Sequence, residues 1–133
     1  MTKYSLAWLQ EKYATGERLK YVFFWGHKPH PSGRVSKSCF SQWWENSSFS
    51  YEGVNYATAE HWMMAEKARL FGQPEIAEQV VRAKDPGKAK ALGREVEGFA
   101  PEVWDSKKIE VVVKGNFLKF NSDSSLKKFL LDT

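Results

Sequence analysis

The chain is poor in the residues that build cross-links, metal cages and phosphate loops. Its 133 residues hold one cysteine, Cys39, and three histidines. A single cysteine cannot form an intramolecular disulfide, and it suits a reducing compartment. Structural zinc needs four Cys or His ligands in two close pairs, and one Cys with three His offers a single close pair, His27 and His30. His27 and His30 stand close together, but Pro29 between them marks a surface loop. Neither a metal nor a cofactor is expected. No G-x-G-x-x-G occurs, and Gly87 and Gly93 are followed by Arg94 where a phosphate loop has Lys-Ser/Thr. No G-x-S-x-G elbow exists and Cys39 has no base near it in sequence, so nucleophilic catalysis is unsupported. No apolar run approaches membrane length, and Met1-Thr2-Lys3-Tyr4-Ser5 lacks the apolar core of a signal peptide. A soluble, cytoplasmic protein is expected.

Large rings are abundant. Six Trp, nine Phe and five Tyr make 15% of the chain, which suits a core of large side chains or a pocket that stacks planar ligands. A net charge of +4 permits an anionic partner, a phosphate or a nucleic acid, without requiring one. The length predicts one domain over residues 1–133. Leu6, Leu9 and Tyr13 have helical spacing. Tyr21-Val22-Phe23-Phe24-Trp25, ending at Gly26, reads as a buried strand. His27 to Lys37 reads as a loop, and Cys39 to Trp44 as a short strand or an irregular pocket wall. Phe49, Tyr51, Val54 and Tyr56 flank Glu52-Gly53 in near-alternation, the pattern of a small hairpin. Pro74, Asp85-Pro86, Pro101 and Ser122-Asp123-Ser124 each open a helix. In the third of these, Ile109, Val112, Val113, Asn116, Phe117 and Phe120 form the apolar stripe. In the last, Leu126, Phe129 and Leu130 face inward. Strands crowd the first half and helices the second, so the class is α+β: a compact domain with a small β region packed on a mainly helical C-terminal half.

Thr58 to Gly72 is the stretch most suggestive of chemistry. Thr58 is a good cap and Gly72 a good terminator, which predicts a helix of about 13 residues. It is apolar on most sides and therefore central, yet it carries Glu60 and Lys67 on one face. Charges on a buried helix need water, a partner or a ligand. Glu60, in the first turn, is a candidate carboxylate for glycosidic-bond cleavage, beside first-turn N–H groups free to hold an anion or a water. It equally suits plain complementation of the helix dipole. Lys67 could clamp a phosphate or lie along a solvated face. Trp104 could be a core anchor or a stacking wall, and Asn116 or Lys119 could reach a pocket from the long basic helix.

Several landmarks together resemble a known family. They are Phe40-Ser41-Gln42-Trp43, then Tyr51-Glu52-Gly53-Val54-Asn55-Tyr56-Ala57-Thr58-Ala59-Glu60-His61-Trp62-Met63, then Lys67. Asp85-Pro86, Ala89-Lys90-Ala91-Leu92-Gly93-Arg94, Trp104, Lys119-Phe120 and Leu130-Leu131-Asp132-Thr133 follow in order. From about Val22 onward the chain resembles the NADAR, or YbiA-like, family. The resemblance implies a compact α+β fold and N-glycosidase activity. The substrates it implies are early riboflavin-pathway intermediates, which are ribosyl-phosphate aminopyrimidines, or alternatively ADP-ribose linked to guanine bases. A non-catalytic nucleotide- or nucleic-acid-binding module is the competing expectation. By position the catalytic residues fall on Glu60 and Trp104, with Ser41, Trp43, His61, Lys67 and Lys119 binding substrate. Gln42 replaces the family's Asn. The family's pattern continues past Leu-Leu-x-Thr to a further acidic residue, for which Asp123 and Asp132 are the nearest substitutes here.

Overall fold

The computed structural model describes residues 2–133. In chain order the elements are α1 (Leu6–Ala14), a 3-10 turn (Lys37–Phe40), β1 (Phe49–Tyr51), β2 (Val54–Tyr56), α2 (Ala59–Leu70), α3 (Pro74–Val81), α4 (Pro86–Gly93), α5 (Pro101–Ser122) and α6 (Ser124–Leu131). The fold is α+β, as expected. α2 is its hub, packed against β2, α3, α4 and α5. That enclosure explains why α2 is apolar on most sides: seven of its twelve residues are buried.

The helix boundaries follow from local chemistry. Thr58 Oγ1 accepts the His61 N–H at 3.2 Å, and Gly72 leaves α2 with φ +70°. Proline stands at the start of α3, α4 and α5, where its missing N–H costs nothing. Asp85 caps α4 by accepting the Lys88 N–H at 2.7 Å. Asp123 caps α6, its Oδ1 accepting the Ser125 and Leu126 N–H groups. In the hairpin Phe49 pairs with Tyr56 and Tyr51 with Val54. Glu52 and Gly53 both have positive φ, +50° and +80°, which a tight two-residue turn of this twist requires.

Two glycines set the helix spacing. A Cβ on Gly93 would lie 2.1 Å from Met64 Sδ, and one on Gly115 would lie 2.4 Å from Trp62 Cδ1. Trp62 is 2% exposed, and its ring meets Tyr56 and Tyr51 nearly edge-on, with centroids at 5.1 and 5.5 Å. Its indole N–H donates to Val111 O at 2.8 Å. The indole is held on every side, so it cannot yield to a methyl group. A second, smaller core joins Cys39, Trp44, Phe120 and Leu126.

Three expectations change and one open alternative is resolved. Tyr21–Trp25 is not a strand and is not buried: the run is irregular, with Phe23 76% and Trp25 98% exposed. A strand needs a ladder partner as well as β-prone residues, and β1 and β2 pair with each other alone. Cys39 to Trp44 takes the irregular form of the two expected, starting in the 3-10 turn. On α5, Ile109, Val113 and Phe117 of the expected stripe face solvent and Phe120 is buried as expected, while Val111, Gly115, Leu118 and Lys119 also turn inward. Packing follows the small residue that admits Trp62 rather than the strongest apolar stripe. On α6, Leu126 is fully buried but Leu130 is 39% exposed. α1 forms as expected, with no buried residue.

Gly115→Ala should therefore lower stability by about 2–3 kcal/mol through overpacking against an indole that cannot move. Urea denaturation measures this, and an unchanged midpoint would show that α5 can slide off Trp62.

Candidate active site

The site is built where the start of α2 meets α4 and the segment after the 3-10 turn. Ser41 Oγ accepts the Trp43 N–H at 3.2 Å, bending the chain so that the Trp43 ring lies beside α4. Gln42 carries two positioning bonds. Its carbonyl accepts the Glu60 N–H at 3.0 Å, and its side-chain oxygen accepts from Asn116 Nδ2 at 2.9 Å. The longer amide at this position thus reaches across to α5.

Glu60 is 4% exposed. Burial pushes its pKa above the ordinary carboxylate range, against the opposing pull of the Lys90 ammonium, the Trp43 indole N–H and the Lys67 ammonium. Lys90 Nζ sits 5.8 Å from the Trp43 ring centroid. Lys67 Nζ donates to Gly93 O at 2.9 Å and lies 4.6 Å over the Phe99 ring. Burial also lowers the Lys67 pKa, as does Arg94 nearby, with Glu60 opposing. A carboxylate, an indole and three cations from α2 and α4 therefore share one region. No cation closes to within ion-pair distance of Glu60 among the described residues.

The other expected residues are placed differently. His61 is fully buried, with Nδ1 2.7 Å from Thr58 Oγ1 and Nε2 3.0 Å from Ala83 O. A carbonyl can only accept, so Nε2 donates to Ala83 O, while Nδ1 pairs with the Thr58 hydroxyl. Both nitrogens are thereby committed to the scaffold. Lys119 is fully buried too, and its ammonium donates to the carbonyls of Cys39 and Ser41, the latter at 2.9 Å. Burial brings its pKa down to about 8. It supports the segment that carries Ser41 and Trp43. Trp104 is half-buried in the first turn of α5 and is not among the groups that perturb Glu60. Asp123 accepts from Ser47 Oγ at 3.0 Å besides capping α6, and Asp132 pairs with Lys128 in solvent.

Two of the first-turn N–H groups expected to be free for an anion or a water are taken. Glu60 N–H goes to Gln42 O and His61 N–H to Thr58 Oγ1. The positive groups available to a ligand are side chains instead. Lys90 and Arg94 had no role assigned from the sequence, although their i,i+4 spacing on α4 places them on one face. Among the described residues no group of three or more His, Cys, Asp or Glu could hold a metal ion, and no helix is long and apolar enough to cross a membrane.

A fold hubbed on a capped helix with Glu-His in its first turn, and a buried carboxylate among aromatic and cationic side chains, defines the class, and comparison with known proteins agrees. A family model described as the NADAR domain matches residues 23–133. N-glycosidase R617 of Acanthamoeba polyphaga mimivirus is 39% identical over 118 residues, covering 86% of this chain and 68% of that protein. Protein irg-1 of Caenorhabditis elegans is 28% identical over 82 residues, covering 60% of this chain and 39% of that protein. The chain belongs to the NADAR family.

The Glu60 environment predicts a stability signature. Its folded pKa lies above the unfolded one, so the folded state holds the proton more tightly. Its contribution is most favourable below the unfolded pKa and is lost as pH rises through the folded value. Glu60→Gln keeps the shape and removes the charge. It should melt no lower than wild type at neutral pH, with the difference shrinking towards about pH 4, near the unfolded carboxylate value. Thermal melts at the two pH values test this; a large loss at neutral pH would mean that the charge stabilises the fold.

Proposed function

We propose that this chain is an N-glycosidase: a hydrolase that cleaves the bond between a ribose and a planar base in a phosphorylated ribosyl compound. The carrying observation is the 4%-exposed Glu60 carboxylate with Trp43, Lys90 and Lys67 acting on it, and Arg94 near Lys67. Family membership and a relative named N-glycosidase support the reading. On this reading the ionised carboxylate takes a proton from water as that water attacks the anomeric carbon. The C–N bond breaks with its electron pair going to the base nitrogen, which receives the proton that Glu60 took from the water, so the base leaves neutral and the carboxylate is regenerated. The same carboxylate stabilises the positive charge that develops on the ring, and poor hydration strengthens that interaction. The cations hold the phosphate, and Trp43, with Trp104 as second candidate, stacks the departing base. Ser41 and Lys119 act by holding the Trp43 segment, and His61 by fixing the start of α2. Early riboflavin-pathway intermediates carry the required phosphate, ribose and aminopyrimidine, and are the substrates we favour.

Glu60→Gln should fold normally and reduce release of the free base by about 10²–10⁴-fold, the range for a lost general base. Mass spectrometry of ribosyl-phosphate aminopyrimidines and of ADP-ribosylated guanine, incubated with each protein, distinguishes the substrates. Turnover within a few-fold of wild type would remove Glu60 from the chemistry. For wild type, kcat/KM should fall on acidification with a midpoint above the ordinary carboxylate range, because Glu60 must be ionised and burial raises its pKa.

A further inference from the structure

We propose that the irregular segment from Arg18 to Lys37 forms a surface for single-stranded nucleic acid. The charge distribution is the first observation. These 20 residues contain five of the 20 Lys and Arg and none of the 16 Asp and Glu, so the rest of the chain carries a net charge of −1 and the whole excess of the +4 protein lies here. Lys20, Lys28, Arg34 and Lys37 pair with no carboxylate among the described residues. The flanking acidic residues are engaged elsewhere: Glu17 with Lys12 at 2.6 Å, and Glu45 near His27 at 3.9 Å.

The rings are the second observation. Trp25 is 98% exposed and Phe23 76%, and Tyr21 stacks on Phe23 with centroids 5.5 Å apart and planes 16° from parallel. Flat rings held in solvent are what an unpaired base stacks on. Trp25 and the four cations line one groove of about 800 Å³, walled on the far side by Phe129 and Thr133 beside α6. Phosphates running past the cations while bases meet the ring are the two contacts that a flexible strand makes together and a closed duplex cannot. An anionic membrane fits less well. Membrane-surface binding of this kind uses cations and rings arranged along an amphipathic helix, and residues 16–36 form no helix, with Pro29, Pro31 and three positive-φ glycines in the run. Arg18, Lys20, Tyr21 and Val22 precede the NADAR match, which starts at residue 23.

The test is fluorescence anisotropy of the full chain with a labelled oligothymidylate of about 20 nucleotides. If about four phosphates are neutralised, affinity should fall by about 50-fold between about 50 and 200 mM salt. Trp25→Ala should weaken binding by about tenfold, the scale of one lost stacking contact. The double variant Lys28→Glu with Arg34→Glu should abolish binding, while a duplex of equal length should bind at least about tenfold more weakly than the strand. Trp25, Lys28 and Arg34 lie outside both cores, so circular dichroism should be unchanged. Turnover of a ribosyl-phosphate aminopyrimidine should be unchanged as well, which keeps this surface separable from the glycosidase reading. No binding at low salt, binding indifferent to both variants, or sedimentation with phosphatidylserine vesicles in preference to the strand would each overturn the proposal.

Discussion

The contact between Trp62 and Gly115 is the constraint on which the remaining geometry depends. Without a side chain at Gly115, α5 can approach α2 until the indole N–H reaches Val111 O, a carbonyl with a second lone pair to offer. That approach brings Asn116 and Lys119, one and four residues further along α5, to the segment after the 3-10 turn. Asn116 holds the Gln42 side chain, and Lys119 holds the carbonyls of Cys39 and Ser41. The same segment returns to α2 through Gln42 O and the Glu60 N–H. The circuit closes: one helix is packed by its middle and positioned at its first turn by the same partner.

This closure explains how a carboxylate comes to be buried without a contact ion pair. Glu60 is set by backbone and by packing, so its charge does not have to hold it in place. The cations stand further off, and each has another partner: Lys67 on Gly93 O and Phe99, Lys90 against Trp43. Cations at that range moderate the cost of burial without neutralising the group, which leaves the carboxylate under-solvated and basic. A direct ion pair would have lowered its pKa and consumed the charge.

What could be read from the sequence divides along the same line. Helix starts were legible because caps and first-position prolines act over three or four residues: Thr58, Asp85 and Asp123 each accept the N–H bonds their positions imply. The hairpin was legible for the same reason, since Glu52-Gly53 and the alternation around it are local. The Tyr21–Trp25 run misled because ring-rich composition is shared by strands and by exposed recognition segments, and only a pairing partner tells them apart. The α5 stripe misled in part because two of the three residues buried on this helix, Gly115 and Lys119, carry no hydrophobic signal, and Phe120 alone does.

In the site itself, residue type pointed to Glu60 and Lys67, but not to which donors and cations would remain available. A capped helix start is commonly an anion site because its first N–H groups lack partners. Here the cap and the Gln42 carbonyl take up two of those groups, and the positive charge comes from side chains on α2 and α4. Gly93 lets α4 lie close against Met64, which sets Lys90 by Glu60 and Arg94 by Lys67. The glycine that spaces α4 and the glycine that spaces α5 thus do for the site what no charged residue could do alone. One brings up the cations and the other fixes the carboxylate between them, so the chemistry of this surface is set by two residues that have no side chain.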